Sequence, residues 1–421
     1  MQNRRHFLRT VTAASLAATT TLRAQGNPDQ KLRVGVMGLS RGKAHISNFA
    51  KVPGVEIAYV CDVDQQRLAD GVKHATQAQG GKVPEAVSDF RRILDDKDVD
   101  ILSIAAPNFW HAPATILACD AGKHVYVEKP GSHNARESEL MVAAAERNQR
   151  KVQMGNQRRS APGFREGIEK LAAGVIGELR YARCWYDNTR KSIGKGKPAP
   201  VPKELDYQLW QGPTPERPFK DNLIHYNWHW HWNYGGGELA NNGVHALDIA
   251  RWALGVDTPA RSSYVGGRYH FDDDQETPDT ADATYDFGKV GISWHGSSCL
   301  KRKHENHPFV SVYGEGGAMS FDGGGYRIHD NDGKIVHENM PSLNDLPHFQ
   351  NFADGIRKGT ALNAPIADAQ KSTMLCHLGN ISYRQGIQVD CDPETGKPLN
   401  GDLVEKLWTR EYREGWKPAG A

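Results

Sequence analysis

The chain has no imbalance of charge. Its 52 basic and 50 acidic side chains leave a formal +2 over 421 residues, so no electrostatic footprint for nucleic acid or a membrane surface is present. It has no apolar run long enough to span a bilayer, and no membrane anchor is expected. It has no CxxC pair and no metal-like spacing: Cys61, Cys119, Cys184, Cys299, Cys376 and Cys391 are scattered. Cys61 and Cys119 fall inside apolar patterns and read as small buried hydrophobes. What the chain holds in quantity is glycine (43) and tryptophan (10), with half of the tryptophans between Trp185 and Trp232. Strand and helix patterns persist throughout, so the glycines suit tight turns rather than disorder, and the length allows two domains with proper cores.

Residues 1–25 read as a signal rather than fold. Asn3-Arg4-Arg5-His6-Phe7-Leu8-Arg9 resembles the twin-arginine export signal, and a mildly apolar run from Val11 to Leu22 follows it. That resemblance implies passage of the folded protein through the twin-arginine translocon to the periplasm or the exterior. The remainder divides into 31–155, 156–390 and a carboxyl-terminal arm, 391–421.

From Leu32 short β-branched runs alternate with helical stretches. Strands are expected at Leu32–Met37, Val55–Cys61, Asp100–Ala105, His124–Val127 and Lys151–Met154. Helices are expected near Lys43–Ala50, Asp64–Ala78, Asp89–Leu94, Ala112–Ala121 and Ala135–Asn148. This alternation implies a parallel sheet of the dinucleotide-binding type. The first strand runs into Gly35-Val36-Met37-Gly38-Leu39-Ser40-Arg41-Gly42, a glycine turn that lets a pyrophosphate approach the next helix's N–H groups, with Ser40 in place of the usual second glycine. The second strand ends at Asp62, whose carboxylate accepts from ribose hydroxyls and repels a 2′-phosphate, favouring NAD over NADP. Asp64 is the alternative use of that charge, as a helix cap. Asn108 either contacts the cofactor or caps a helix beginning near His111.

The most telling segment is His124-Val125-Tyr126-Val127-Glu128-Lys129-Pro130. A buried strand ends in a charged pair and a proline that cannot continue a ladder, which delivers Glu128 and Lys129 to the carboxyl edge of the sheet.

Taken together, the glycine turn, Cys61-Asp62-Val63-Asp64, Ala106-Pro107-Asn108-Phe109-Trp110-His111, Val127-Glu128-Lys129-Pro130 and Gly243-Val244-His245-Ala246-Leu247-Asp248 resemble the Gfo/Idh/MocA oxidoreductases. The resemblance implies an α/β fold: an amino-terminal Rossmann domain and a carboxyl-terminal α+β domain on a large, mostly antiparallel sheet, with the active site between them. It implies a cofactor set of Gly38, Ser40, Arg41, Gly42, Asp62, Pro107, Asn108, His111, Glu128 and Lys129, holding NAD tightly, and a cis bond before Pro130. It implies catalytic roles for Lys129 and His245, no catalytic metal, and a homo-oligomer. Four residues before His245, where inositol-dehydrogenase-like members carry aspartate, this chain has Asn241. Asparagine takes no proton and supplies no charge, so Asn241 is expected to orient a hydroxyl while Lys129 and His245 share the acid/base work. His245, titrating near neutrality, is the expected base, and Lys129 the expected stabiliser of alkoxide charge.

In the second half, strands are expected at Gly177–Tyr186, Thr284–Phe287, Val290–Trp294, Phe309–Tyr313 and Ala318–Phe321, with helices at Pro162–Ala173 and Ile366–Gln385. His225–Tyr234 alternates rings as one strand does, and reads either as an aromatic core or as a sugar-binding wall. Trp228, Trp230 and His231 are its substrate candidates, with Arg158 or Arg159 for an acidic or hydroxylated group. Three functions are open: oxidation of a secondary hydroxyl of a sugar, glycoside or polyol; a redox-neutral NAD-dependent glycosidase; and a carbohydrate-binding relative without chemistry.

Overall fold

A computed structural model describes residues 30–421; the expected export signal lies outside the described residues. Six strands, β1 (Leu32–Met37), β2 (Val55–Cys61), β3 (Glu85–Val87), β4 (Ile101–Ile104), β5 (His124–Val127) and β6 (Val152–Met154), form a sheet in the order β3-β2-β1-β4-β5-β6. Every pairing in it is parallel. The order reverses at β1, so the crevice between the ends of β1 and β4 is the place where such sheets take a ligand. β3, only three residues long and largely exposed, carries no pattern that sequence reveals. The helix after β4 starts at Asn108 rather than Ala112, with Pro107 as its N-cap in an extended conformation and Pro113 within its second turn.

Nine strands make the second sheet: β7 (Leu179–Asp187), β8 (Arg261–Gly267), β9 (Thr280–Asp286), β10 (Gly291–Ser297), β11 (Val310–Gly314), β12 (Gly317–Asp322), β13 (Gly325–His329), β14 (Ile335–Asn339) and β15 (Val389–Asp390). Their order is β14-β13-β12-β11-β7-β10-β9-β8-β15, antiparallel except for β7 with β10. One face, including Trp294, Tyr285, Val312 and Phe321, packs on helices Pro162–Ala172 and Val244–Leu254.

Two helices join the halves. Ile366–Gln385 places Ile366 and Ala369 in the first core and Leu375 and Cys376 in the second. Leu346–Lys358, absent from the sequence expectations, inserts Phe349 and Phe352 beside Val34 and Val36 of the first sheet. The carboxyl-terminal arm also returns to that half, where Arg410 pairs with buried Glu137 at 2.7 Å. All six cysteines are free and buried.

Candidate active site

A cleft of about 560 Å³ lies between the carboxyl ends of β1, β2, β4 and β5 and the elements around His225–His229 and His245. Gly38 forms its floor at φ +86°, where an added Cβ would stand 2.6 Å from the Ala105 carbonyl oxygen; only glycine lets β1 approach the end of β4 so closely. The helix Gly42–Phe49 then begins with no side-chain cap, its Lys43 and Ala44 N–H groups turning back to the Ser40 and Arg41 carbonyls at 3.4 and 2.9 Å. Ser40 and Arg41 line the cleft, whereas Gly42 is buried at the helix start and does not.

Asp62 faces the cleft and braces the turn: its Oδ2 accepts from Leu39 N at 2.8 Å and its Oδ1 from Asp64 N at 3.0 Å. Each oxygen keeps a lone pair for a ligand hydroxyl. Burial raises the Asp62 pKa, partly offset by the two backbone bonds. Asp64 caps the helix Gln65–Ala78, accepting from Gln66 N and Arg67 N, so the capping use falls to Asp64. Pro107, Asn108 and His111 line the cleft on the β4 side. Both His111 ring nitrogens face carbonyl oxygens, of Pro130 at 2.6 Å and Ala106 at 2.8 Å, fastening the Lys129–Pro130 turn to the helix. The Lys129–Pro130 bond is cis, as the resemblance implies.

Glu128 is a buried hub. It accepts from His45 Nε2 at 3.0 Å, Gln157 Nε2 at 3.1 Å and Arg41 Nε at 3.2 Å. Burial alone would raise its pKa, but the His45 hydrogen bond and the charges of His45, Arg41 and Lys129 outweigh burial and hold it well below the usual carboxylate range. Arg41 also pairs with Asp345 at 2.9 Å. Glu128 thus anchors the cleft wall. His45, Gln157 and Asp345 carry no sequence signal, since only the fold brings them together.

Lys129 crosses from β5 to the opposite half, where its Nζ donates to the Asn241 carbonyl at 2.8 Å and to Asn241 Oδ1 at 3.1 Å. Burial lowers its pKa, with the Glu128 charge opposing. Asn241 sits in a π-helical turn, Leu239–Gly243, ahead of the helix Val244–Leu254. Its Nδ2 donates to buried Glu238 at 3.4 Å, and Glu238 pairs with Arg190 at 2.7 Å. Asn241 therefore holds the lysine rather than facing the cleft.

His245 lines the cleft. The expectation that it titrates near neutrality is corrected: burial, then the charges of Lys129 and Arg158, hold its pKa well below the ordinary value, so the ring is neutral. No carboxylate at position 241 opposes these effects.

The aromatic segment is also corrected. Asn227–Trp230 is a 3-10 turn, not a strand, so side chains do not alternate between two faces. Trp228 reaches the cleft, and His229, stacked on it at 3.6 Å between centroids, does too. Trp230 is 2% exposed beneath Arg190, and His231 turns away to Glu276 at 3.5 Å. Neither lines the cleft. His229 Nδ1 lies 2.6 Å from the Tyr226 carbonyl and so donates to it, leaving Nε2 as an acceptor; burial, only partly offset by that bond, takes its pKa to about 3. Of the two candidate arginines, Arg159 is locked by Asp248 at 2.8 Å and Asp368 at 2.9 Å. Arg158 lines the cleft.

Residues 32–156 match the family model described as the oxidoreductase family's NAD-binding Rossmann fold, and residues 182–418 match that of its C-terminal alpha/beta domain, both of Gfo/Idh/MocA type. A glycosyl hydrolase family 109 protein of Shewanella pealeana is 30% identical over 212 residues, 44% of this chain and 46% of that protein. The chain thus spans about half the length of the curated relatives it matches. Among solved structures, the aldose-aldose oxidoreductase from Caulobacter crescentus, complexed with glycerol, superposes with a TM-score of 0.67 at 20% identity, over 86% of this chain and 100% of that one. The WlbA dehydrogenase from Bordetella pertussis, in complex with NADH and UDP-GlcNAcA, gives 0.64 at 18%, over 86% and 99%. At these identities the two structures establish a common fold.

Proposed function

Because the chain belongs to the Gfo/Idh/MocA oxidoreductase family, we propose that it oxidises a secondary hydroxyl of a sugar, glycoside or polyol with NAD. The observation that carries this is Lys129, a buried amine held by Asn241 in the same cleft as His245 and the Gly38–Asp62 turn. The residues fit a dinucleotide. The Gly38 floor admits no Cβ, the amino terminus of Gly42–Phe49, which no side chain caps, suits a pyrophosphate, and Asp62 retains acceptor capacity for a ribose. When bound, NAD supplies the hydride acceptor.

Acid/base roles follow from the hydrogen bonds. A neutral Lys129 amine has two N–H groups, and Asn241 offers two acceptors for them. The remaining lone pair is left for the substrate hydroxyl proton, and burial favours that neutral form. Neutral His245 accepts from the same or a neighbouring hydroxyl and orients it. This exchanges the roles expected from sequence, because a histidine held so far below neutrality is the weaker base.

Asp62→Ser tests the cofactor assignment. Removing the carboxylate leaves Arg67, also in the cleft wall, to meet a 2′-phosphate. The NAD/NADP ratio of affinities is expected to fall by at least about tenfold, the scale of one charged hydrogen bond. An unchanged ratio contradicts a ribose role.

The relatives named glycosyl hydrolase family 109 favour a second reading. In it, transient oxidation permits elimination of a glycosidic group, and the same cofactor is then reoxidised. Such closed cycling suits a protein exported with its NAD by the twin-arginine route to the periplasm or exterior, where we place this chain. Incubation with NAD, free sugars and nitrophenyl glycosides separates the readings. Accumulating NADH supports net oxidation. NAD-dependent nitrophenol release without NADH supports the closed cycle, and neither product from any substrate contradicts both.

A further inference from the structure

Among the described residues three of the arginines around this cleft are paired, whereas Arg67, whose charge acts on Asp62, and Arg158, with its buried Nε, are not. Arg41 is held by Glu128 and Asp345, Arg159 by Asp248 and Asp368, and Arg190 by Glu238. Among the described residues the Arg158 side chain has no ion pair or hydrogen bond, and its Nε is buried without a partner. Its guanidinium lies over the Phe309 ring, 4.8 Å from the centroid, which supports the plane of the group and leaves its donor edge uncommitted. Guanidinium does not shed its proton, and an unpaired desolvated cation is costly to keep. A fold that retains one in a ligand cleft leaves its charge for the ligand to meet.

We propose that the substrate carries a carboxylate which the Arg158 guanidinium receives, making it an acidic sugar of the uronic class. This rests on the oxidoreductase reading above and names the substrate of that same site. Arg158 lines the cleft, and its charge acts on both Lys129 and His245 and not on Asp62, so the carboxylate is bound at the reacting end rather than at the ribose end. A carboxylate matches the fork of one guanidinium in two parallel hydrogen bonds and neutralises its single charge, whereas a phosphate dianion is matched only in part.

The test uses the full chain saturated with NAD and matched ligands that differ only in charge: glucuronate, galacturonate and mannuronate, each against its primary amide, with glucose 6-phosphate as a further arm. Calorimetric binding is expected to favour at least one uronate over its amide by tenfold or more. Arg158→Gln is expected to bring that ratio within twofold while NAD affinity stays within twofold of wild type. Arg158→Lys, which keeps the charge and loses the fork, is expected to fall between. The proposal is overturned if no uronate exceeds its amide, if the preference survives Arg158→Gln, if glucose 6-phosphate binds more tightly than every uronate, or if Arg158→Gln costs tenfold in NAD affinity. The wild-type uronate/amide ratio decides the matter even if the glutamine variant does not fold. Failure of the wild type to bind NAD overturns the oxidoreductase reading and this proposal with it; the other adverse results overturn the substrate class alone.

Discussion

Lys129→Ala is expected to lower kcat by about a thousandfold, roughly 4 kcal/mol of transition-state stabilisation, with NAD affinity little changed. The amine is the group that both halves of the molecule position: β5 delivers it and Asn241 takes its two donors at 2.8 and 3.1 Å. Lys129→Arg separates proton transfer from simple charge. It keeps a cation at the site but cannot release a proton near neutrality, so it is expected to be nearly as inactive as the alanine variant. In the wild type, kcat rises with pH through the lowered lysine pKa, because only the neutral amine accepts the hydroxyl proton. Steady-state kinetics across pH for the wild type, with single-pH rates for both variants, check this. Turnover close to wild type in either variant removes Lys129 from the chemistry.

Acidification is expected to destabilise the fold steeply below pH 6.5. His348 and His377 are buried, and burial takes their pKa values to about 4 and about 3. His348 sits between Ser160 Oγ at 2.6 Å and the Met154 carbonyl at 2.9 Å, a pair that satisfies the neutral ring. His377 meets Ser132 Oγ at 2.9 Å, just beyond the Lys129–Pro130 turn. A histidine whose folded pKa lies below its unfolded value binds fewer protons when folded. Its contribution is therefore fully present above about pH 6.5 and is lost as pH falls. At pH 5 each ring costs about 2 kcal/mol relative to neutrality, about 4 kcal/mol for the pair, a large share of an ordinary domain's stability. Urea unfolding at pH 7.5 and pH 5 measures it. His377→Gln is expected to remove about 2 kcal/mol of the difference, that ring's own share, and equal stability at the two pH values contradicts the assignment. Since His377 supports the Lys129 turn and His348 the segment before Arg158, the cleft is expected to lose order first.

Much of this was legible in the sequence because the first half follows local rules. β1, β2 and β5 match the residues expected, as does the helix Ile366–Gln385. The glycine turn, Asp62 and the Glu128-Lys129-Pro130 strand end each depend on a few consecutive residues, and their context fixes their place. What was not legible depends on contacts distant in the chain. The helix Leu346–Lys358 begins Leu346-Pro347, and its apolar face is explained only by the first sheet, some three hundred residues earlier. Asn241 reads as a substrate contact until Lys129 is found bonded to it. Trp230 looks like Trp228 in sequence, but a 3-10 turn rather than a strand sends it beneath Arg190. The neutrality of His245 comes first from burial, with the Arg158 guanidinium adding to it, which no spacing reports.

The central claim is that this cleft binds a nicotinamide dinucleotide and uses it. The most direct measurement is to purify the protein without added cofactor, denature it and assay the supernatant for nicotinamide, then to titrate NAD into any cofactor-free fraction. One nicotinamide per chain, already bound or bound on titration, and lost affinity in Asp62→Ser are the predicted results. Absence of nicotinamide both as purified and after titration with NAD would contradict the account and leave a carbohydrate-binding protein that kept the fold without the chemistry.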